Sequence, residues 1–287
     1  MIELAQTDVT TSCCSSPSEV KAGELNRLKD SPEEIKQQVQ ARYAQSAEKG
    51  SGCGCSTENP FNLDSYTAID GYEIEADLGL GCGIPTEEAD IQEGQHVLDL
   101  GSGAGVDAFV ARRIVGASGQ VTGVDFTPQM VELAKRNAKK LGYENVSFVQ
   151  GDIENLPIPS DSVDRVISNC VLNLVPNKAK AFAEMHRVLS PGGRFTVSDI
   201  VLEGNLPESI LKTAEAYAGC VSGAIPYAAY IGLLEETGFS DVKAVKENEL
   251  TFSDEDLLSY ATKEDIAEFR NSTARVVSIT VTGSKEG

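Results

Sequence analysis

The segment Asp99-Leu100-Gly101-Ser102-Gly103-Ala104-Gly105 restricts the fold of this 287-residue chain more than any other. It closes the apolar run HVLDLG, which begins at His96, and opens an amphipathic stretch from Val106. Glycine permits the tight strand-to-helix turn and lets a ligand approach the backbone. The spacing is G-x-G-x-G, and Val106 stands where a dinucleotide fingerprint carries its third glycine, which turns the reading away from NAD. Asp125 ends the next apolar run, QVTGVD. A carboxylate there can accept from both hydroxyls of a ribose and would repel a 2′-phosphate, which disfavours NADP. After a third run, NVSFVQ, come Gly151-Asp152-Ile153-Glu154. Here Asp152 can accept from an exocyclic adenine amine while Ile153 covers the ring.

Short apolar runs alternate with amphipathic helices from His96 onward, the pattern of a doubly wound α/β fold with a parallel sheet. Thr127 as N-cap, Pro128 at the first helical position and Gly142 just past the end bound a helix over 127–141. A fourth strand is expected at Ser162–Asn169, a helix at Lys178–Leu189 stopped by Pro191, Gly192 and Gly193, and a fifth strand in RFTVSDIVL. Further helical stretches fall near 207–219 and 228–237, and strands near 242–245 and 276–281. Upstream, Ser31, Pro32 and Glu34 form a capping box, and Ile35, Val39, Tyr43 and Ala47 recur on one helical face. The organisation read is a flexible tail over 1–30, an N-terminal helical arm with a cysteine loop over 31–95, and a cofactor-binding domain over 96–287.

Lys plus Arg number 24 against 44 Asp plus Glu, a net charge of −20, which opposes binding to nucleic acid or anionic lipid. No run approaches the roughly 18 apolar residues of a membrane helix, and no signal-peptide pattern opens the chain, so a cytoplasmic protein is expected. In that compartment seven cysteines are mostly reduced. Only two histidines are present, His96 and His186, and both are read as structural. A zinc site fits poorly, because the loop spacing is C-x-C and no paired histidines follow, so no structural metal is expected.

Three cysteines fall at irregular or terminal backbone positions: Cys82 in GLGCGIP, Cys170 directly after the fourth strand, and Cys220 in AGCVSG. Two more, Cys53 and Cys55, lie in the loop GSGCGCS, and Cys13 and Cys14 lie in the tail. Several thiolates without an obvious general base suit a soft thiophilic centre, such as trivalent arsenic, which keeps a lone pair for attack on a sulfonium methyl.

VLDLGSGAG, VTGVD, GDIENLP and LSPGGRF, in this order and spacing, resemble class I S-adenosylmethionine-dependent methyltransferases. The helix bearing Arg42 and Tyr43, LGCGIP, SNCVLNL and AGCVSGA further resemble arsenite methyltransferases over roughly 39–238. The resemblance implies a Rossmann-like seven-stranded sheet with the N-terminal helical arm. It assigns cofactor contacts to Asp99, Gly101, Ser102, Gly103, Gly105, Asp125, Asp152, Ile153 and Glu154, with Phe126, Met130 and Tyr43 as further candidates. It implies that Cys82, Cys170 and Cys220 hold trivalent arsenic and that Cys53 or Cys55 passes it inward, with arsenite and methylated trivalent arsenicals as substrates. It does not reach the appended C-terminal domain of longer members. Thiols that share one ion lie close enough to oxidise together, so a glutathione- or thioredoxin-type reductant is an expected partner. Two other functions fit the same residues: methylation of a small carbon or oxygen acceptor such as a quinone precursor, and non-catalytic arsenic binding.

Overall fold

The computed structural model describes residues 31–49, 65–217 and 221–287. Strands β1 (His96–Leu100), β2 (Gln120–Asp125), β3 (Val146–Gln150), β4 (Val163–Asn169) and β5 (Leu189–Glu203) run parallel. The last two, β6 (Phe239–Glu249) and β7 (Arg275–Lys285), pair antiparallel with each other, and β7 pairs antiparallel with β5. The sheet order is β3-β2-β1-β4-β5-β7-β6, so the chain reverses direction across the sheet between β1 and β4. Ligands of open α/β sheets bind beyond the carboxyl ends of strands at such a reversal.

The helices are α1 (Pro32–Lys49), α2 (Pro85–Glu88), α3 (Val106–Val115), α4 (Pro128–Leu141), α5 (Lys178–Val188), α6 (Glu208–Tyr217), α7 (Tyr227–Glu236), α8 (Asp254–Leu257) and α9 (Lys263–Asn271). The expected seven-stranded α/β architecture is therefore present, with its strand-four neighbour beside strand one. Helices α2, α8 and α9 were not expected from the sequence, and two further details differ from it. Thr127 occupies the N-cap of α4, but its side chain makes no capping bond; the Asp125 carboxylate accepts from the Thr127 N–H at 2.8 Å instead. The fifth strand begins at Leu189, and Pro191 to Gly193 lie within it.

The N-terminal helix is more than an appendage. Its capping box forms, with the Ser31 N–H donating to Glu34 at 2.7 Å. Its expected apolar face is inward: Ile35, Val39 and Ala47 are buried. Ile35 and Val39 share an apolar cluster with Cys82, Cys170, Leu174 and Ile200. Burying an aliphatic side chain contributes about 1.5–3 kcal/mol, so Ile35 and Val39 hold α1 against the strand ends. The helix thereby becomes one wall of a cleft.

Candidate active site

A cleft of about 1060 Å3, open to solvent, lies at the strand reversal between α1 and the carboxyl ends of β1, β2 and β4. Its floor is the glycine turn. Gly101 has φ +67°, and a Cβ there would lie 2.2 Å from Val171, so the position admits only glycine. Gly103 has φ +51°, and a Cβ there would project into open space on the cleft side, the room a ligand occupies when it meets backbone directly. Gly105, at φ +103°, caps α3, and a Cβ would strike Phe109 and Phe148; its task is packing, and it does not line the cleft.

Asp125 organises this floor. Its Oδ2 accepts from the Gly103 N–H at 3.0 Å and its Oδ1 from Thr127. Burial raises its pKa, and those two backbone donors act in the opposite direction. One lone pair per oxygen remains for a ribose hydroxyl. Asp99 is buried at the end of β1, and its Oδ2 has no hydrogen-bond partner, as is also true of the Ser102 hydroxyl. Burial first, then the nearby Asp107 and Asp125 carboxyls, raise the Asp99 pKa well above the carboxylate range. A buried acceptor without a donor costs on the order of 1–3 kcal/mol. A ligand that brings a cationic donor to Asp99 removes that cost, and S-adenosylmethionine carries an ammonium and a sulfonium. Asp99, Asp125, Asp152 and Ile153 all line this cleft, and their acceptors and apolar cover fit a ligand with a cationic end, a ribose and an aromatic base.

Cys170 and Cys82 meet beside this floor. Cys170 follows β4 with φ +60°, a left-handed conformation that few side chains adopt. It is held there by its N–H, which donates to the Ser198 carbonyl at 2.8 Å. Cys82 is fixed by its N–H to Asn169 Oδ1 at 3.0 Å and by its carbonyl, which accepts from Ser278 Oγ at 2.6 Å. The flanking glycines explain the G-C-G pattern: a Cβ at Gly81 would lie 2.8 Å from Asn169, and one at Gly83 would lie 2.7 Å from Ser198. Asn169 also donates to the Gly83 carbonyl and to Tyr66 Oη, both at 2.8 Å, while Tyr66 donates to Asp107 at 2.8 Å. One asparagine thus ties the cysteine turn to the sheet.

Both thiols are buried, and a third buried ligand stands with them. Their sulfurs and a carboxylate oxygen of Asp199 all lie within 4.8 Å of one another. Asp199 accepts from Tyr230 Oη at 3.2 Å and from the Ile200 N–H at 3.1 Å. Burial pushes its pKa up to about 7, against the lowering influence of Lys178. Sequence reasoning passed over Asp199 and Tyr230, because nothing local marks an aspartate in the middle of a strand.

The remaining expected residues divide. Phe126, Tyr43, Asp152 and Ile153 line the cleft. Glu154 and Met130 do not. Met130 is fully buried core, and Glu154 accepts from the Asn177 N–H at 2.7 Å and from Lys36. Lys36 reaches from α1 to Asp152 and Glu154 at 2.7 Å each. His96 bridges Ser162 and Thr122, and the His186 ring packs on Phe239; both are structural in their contacts. Cys53, Cys55, Cys220, Cys13 and Cys14 lie outside the described residues.

Residues 91–266 match the methyltransferase-domain family. The arsenite methyltransferase of Halobacterium salinarum is 40% identical over 77% of this chain and 61% of its own length. The human arsenite methyltransferase is 34% identical over 78% of this chain and 63% of its own. The chain spans about six tenths of the length of these relatives. A crystal structure of an arsenic(III) S-adenosylmethionine methyltransferase from Chlamydomonas reinhardtii is 39% identical, with a TM-score of 0.61 over 72% of this chain and 68% of that one. Fold, cleft and sequence similarity together place this chain in the arsenite methyltransferase family of class I S-adenosylmethionine-dependent methyltransferases.

Proposed function

We propose that the chain methylates trivalent arsenic held by cysteine thiolates, with S-adenosylmethionine as donor. The observation that supports this most directly is the pair of buried sulfurs, Cys82 and Cys170, lying within 4.8 Å of one another, with Cys170 lining the cleft on a left-handed backbone. Strained conformations persist where the surroundings over-determine them, commonly at functional sites.

Each thiol replaces a hydroxide on arsenite: a sulfur–arsenic bond forms, the arsenic–oxygen bond breaks, and the thiol proton leaves with the hydroxide as water. Cys220 is the third sulfur in this reading, and Cys53 or Cys55 delivers the substrate. The bound cofactor supplies an electrophilic sulfonium methyl. The chain's own groups hold its cationic end at Asp99 and its ribose at Asp125, and leave the arsenic lone pair as nucleophile, so no protein base removes a proton from the attacking atom. Methylated trivalent arsenicals are further substrates. A small thiol or thioredoxin-type reductant keeps the sulfurs reduced, as in the cytoplasm, where we place the protein. Among the described residues no helix is long and apolar enough to cross a membrane.

The test is incubation of the reduced protein with arsenite and labelled cofactor. Arsenite-dependent formation of S-adenosylhomocysteine and labelled methylarsenical is expected. Cofactor turnover on a quinone-type acceptor, with none on arsenite, would overturn the proposal.

A further inference from the structure

The geometry points to a second class of ligand for the thiol pocket: we propose that Cys82, Cys170 and Asp199 together form an S2O site for a borderline-soft divalent cation of the zinc type, whose binding excludes arsenic. The three donor atoms lie within 4.8 Å of one another, and all three residues are buried. A tetrahedral zinc bonds sulfur at about 2.3 Å and carboxylate oxygen at about 2.0–2.2 Å, with donor–donor edges of about 3.5–3.8 Å. Closing this cluster onto such an ion takes shifts on the order of 1 Å.

The donors come from three separate places in the chain, and backbone bonds fix each of them. Cys82 is pinned by Asn169 and Ser278, and Cys170 by Ser198. Asp199 lies in β5 and is oriented by Tyr230 Oη. A hydrogen-bonded outer partner of this kind aims a ligating carboxylate and tunes its donor strength.

Donor chemistry separates the two ligand classes. Trivalent arsenic in the proposed reaction takes sulfur from all its protein ligands, so the carboxylate gives it nothing. Zinc accepts mixed sulfur and oxygen donors, and three protein ligands leave a fourth position for water. Binding involves no change of oxidation state. The two thiols and the carboxyl, where protonated, release their protons to solvent, and each donor gives a lone pair to the cation. Because two of the three donors are the proposed arsenic ligands, cation and metalloid exclude each other.

The experiment uses the reduced full chain in a buffer with a phosphine reductant, titrated separately with zinc and with arsenite. The wild type is compared with Asp199→Asn and Asp199→Cys, which isolates this site from the five other cysteines. Asp199→Asn is expected to weaken zinc binding by about tenfold or more relative to any change in arsenite binding, since even outer-shell changes cost roughly 10–100-fold. Asp199→Cys is expected to restore zinc binding. In the wild type, zinc is expected to protect Cys82 and Cys170 from alkylation as mapped on peptides, a measurement that needs no variant to fold. Equal zinc affinity in all three chains, or unchanged alkylation of both cysteines, would overturn the site. Zinc protection without arsenite binding would leave this site standing and remove the arsenic reading; arsenite binding without zinc protection would do the reverse.

Discussion

The glycine floor after β1 and the thiol pair beside β4 meet at the same strand ends, but they present their chemistry differently. The floor leaves polar atoms open: Asp99 Oδ2 and the Ser102 hydroxyl have no protein partner, and Gly103 leaves room where a side chain would stand. The thiol pocket leaves nothing loose. Its cysteines are buried, their backbones are bonded to Asn169, Ser278 and Ser198, and the glycines around Cys82 are packed against Asn169 and Ser198. The floor therefore suits a ligand that arrives with its own donors and leaves again after each turnover. The pocket suits one that bonds directly to sulfur and must be held in a fixed direction.

Four measurements can break or sharpen this contrast. The largest effect is expected at the pocket: Cys82→Ser or Cys170→Ser should lower kcat/KM for arsenite by at least about 100-fold, about 2.7 kcal/mol of barrier, because a hydroxyl is a poor soft ligand. S-adenosylhomocysteine binding to the same variants should stay near that of the parent. A variant that loses both would show that floor and pocket form one unit.

Next in size is a pH effect on stability. Asp199 has a folded pKa of about 7, above its unfolded value of about 3.9. Between those values the folded chain binds more protons than the unfolded one, so this carboxyl's contribution is fully present below pH 4 and is lost as pH rises towards 7. Replacing it with the neutral isostere in Asp199→Asn should remove the slope. Denaturant titrations at pH 5 and pH 8 should show the parent losing on the order of 2–3 kcal/mol relative to the variant. Parallel curves would mean that Asp199 is ionised throughout.

At the floor, Asp125→Ala removes the proposed ribose acceptor and also the bond that orders Gly103, and should weaken cofactor binding by about 1–3 kcal/mol in calorimetry. Asp125→Asn, which keeps an acceptor oxygen, should fall between. The smallest effect belongs to Lys36, about a third exposed in its pairs with Asp152 and Glu154. Lys36→Met keeps the apolar stem and should weaken cofactor binding by at most about 1 kcal/mol, less at high salt. Hydrogen exchange on α1 should rise with it. If exchange is unchanged, Ile35 and Val39 hold the helix without the ion pair.

How far each part was legible follows from how local it is. The floor is a contiguous motif, and the strands carry their apolar runs, so β1 to β5, the helices between them and the place of Asp125 at the end of β2 in the cleft follow from spacing. Glu154 and Met130 stand behind the cleft lining; helical and turn spacing do not tell a cleft wall from the layer behind it. The helices α8 and α9 were missed, although Ser253 with Asp256 and Thr262 with Asp265 form capping boxes that the S/T-x-x-D pattern announces. The pocket's third ligand had no such signal. Residues 82, 170 and 199 come together only because β4 pairs with β5 and the Cys82 turn is tied to the end of β4 and the middle of β5, and pairing of distant segments leaves no mark at any single position.

The left-handed backbone at Cys170 also restricts which neighbours in sequence space the family can visit. At φ +60° a β-branched residue is excluded and most others are strained, whereas Gly, Asn and Asp are tolerated. A saturation library at position 170 selected only for folding should therefore be enriched in glycine and asparagine, with serine no better than average and valine and isoleucine absent. Drift at this position thus leads towards residues that stabilise the turn and carry no thiol, so a sulfur kept there against that drift is kept for what the sulfur does.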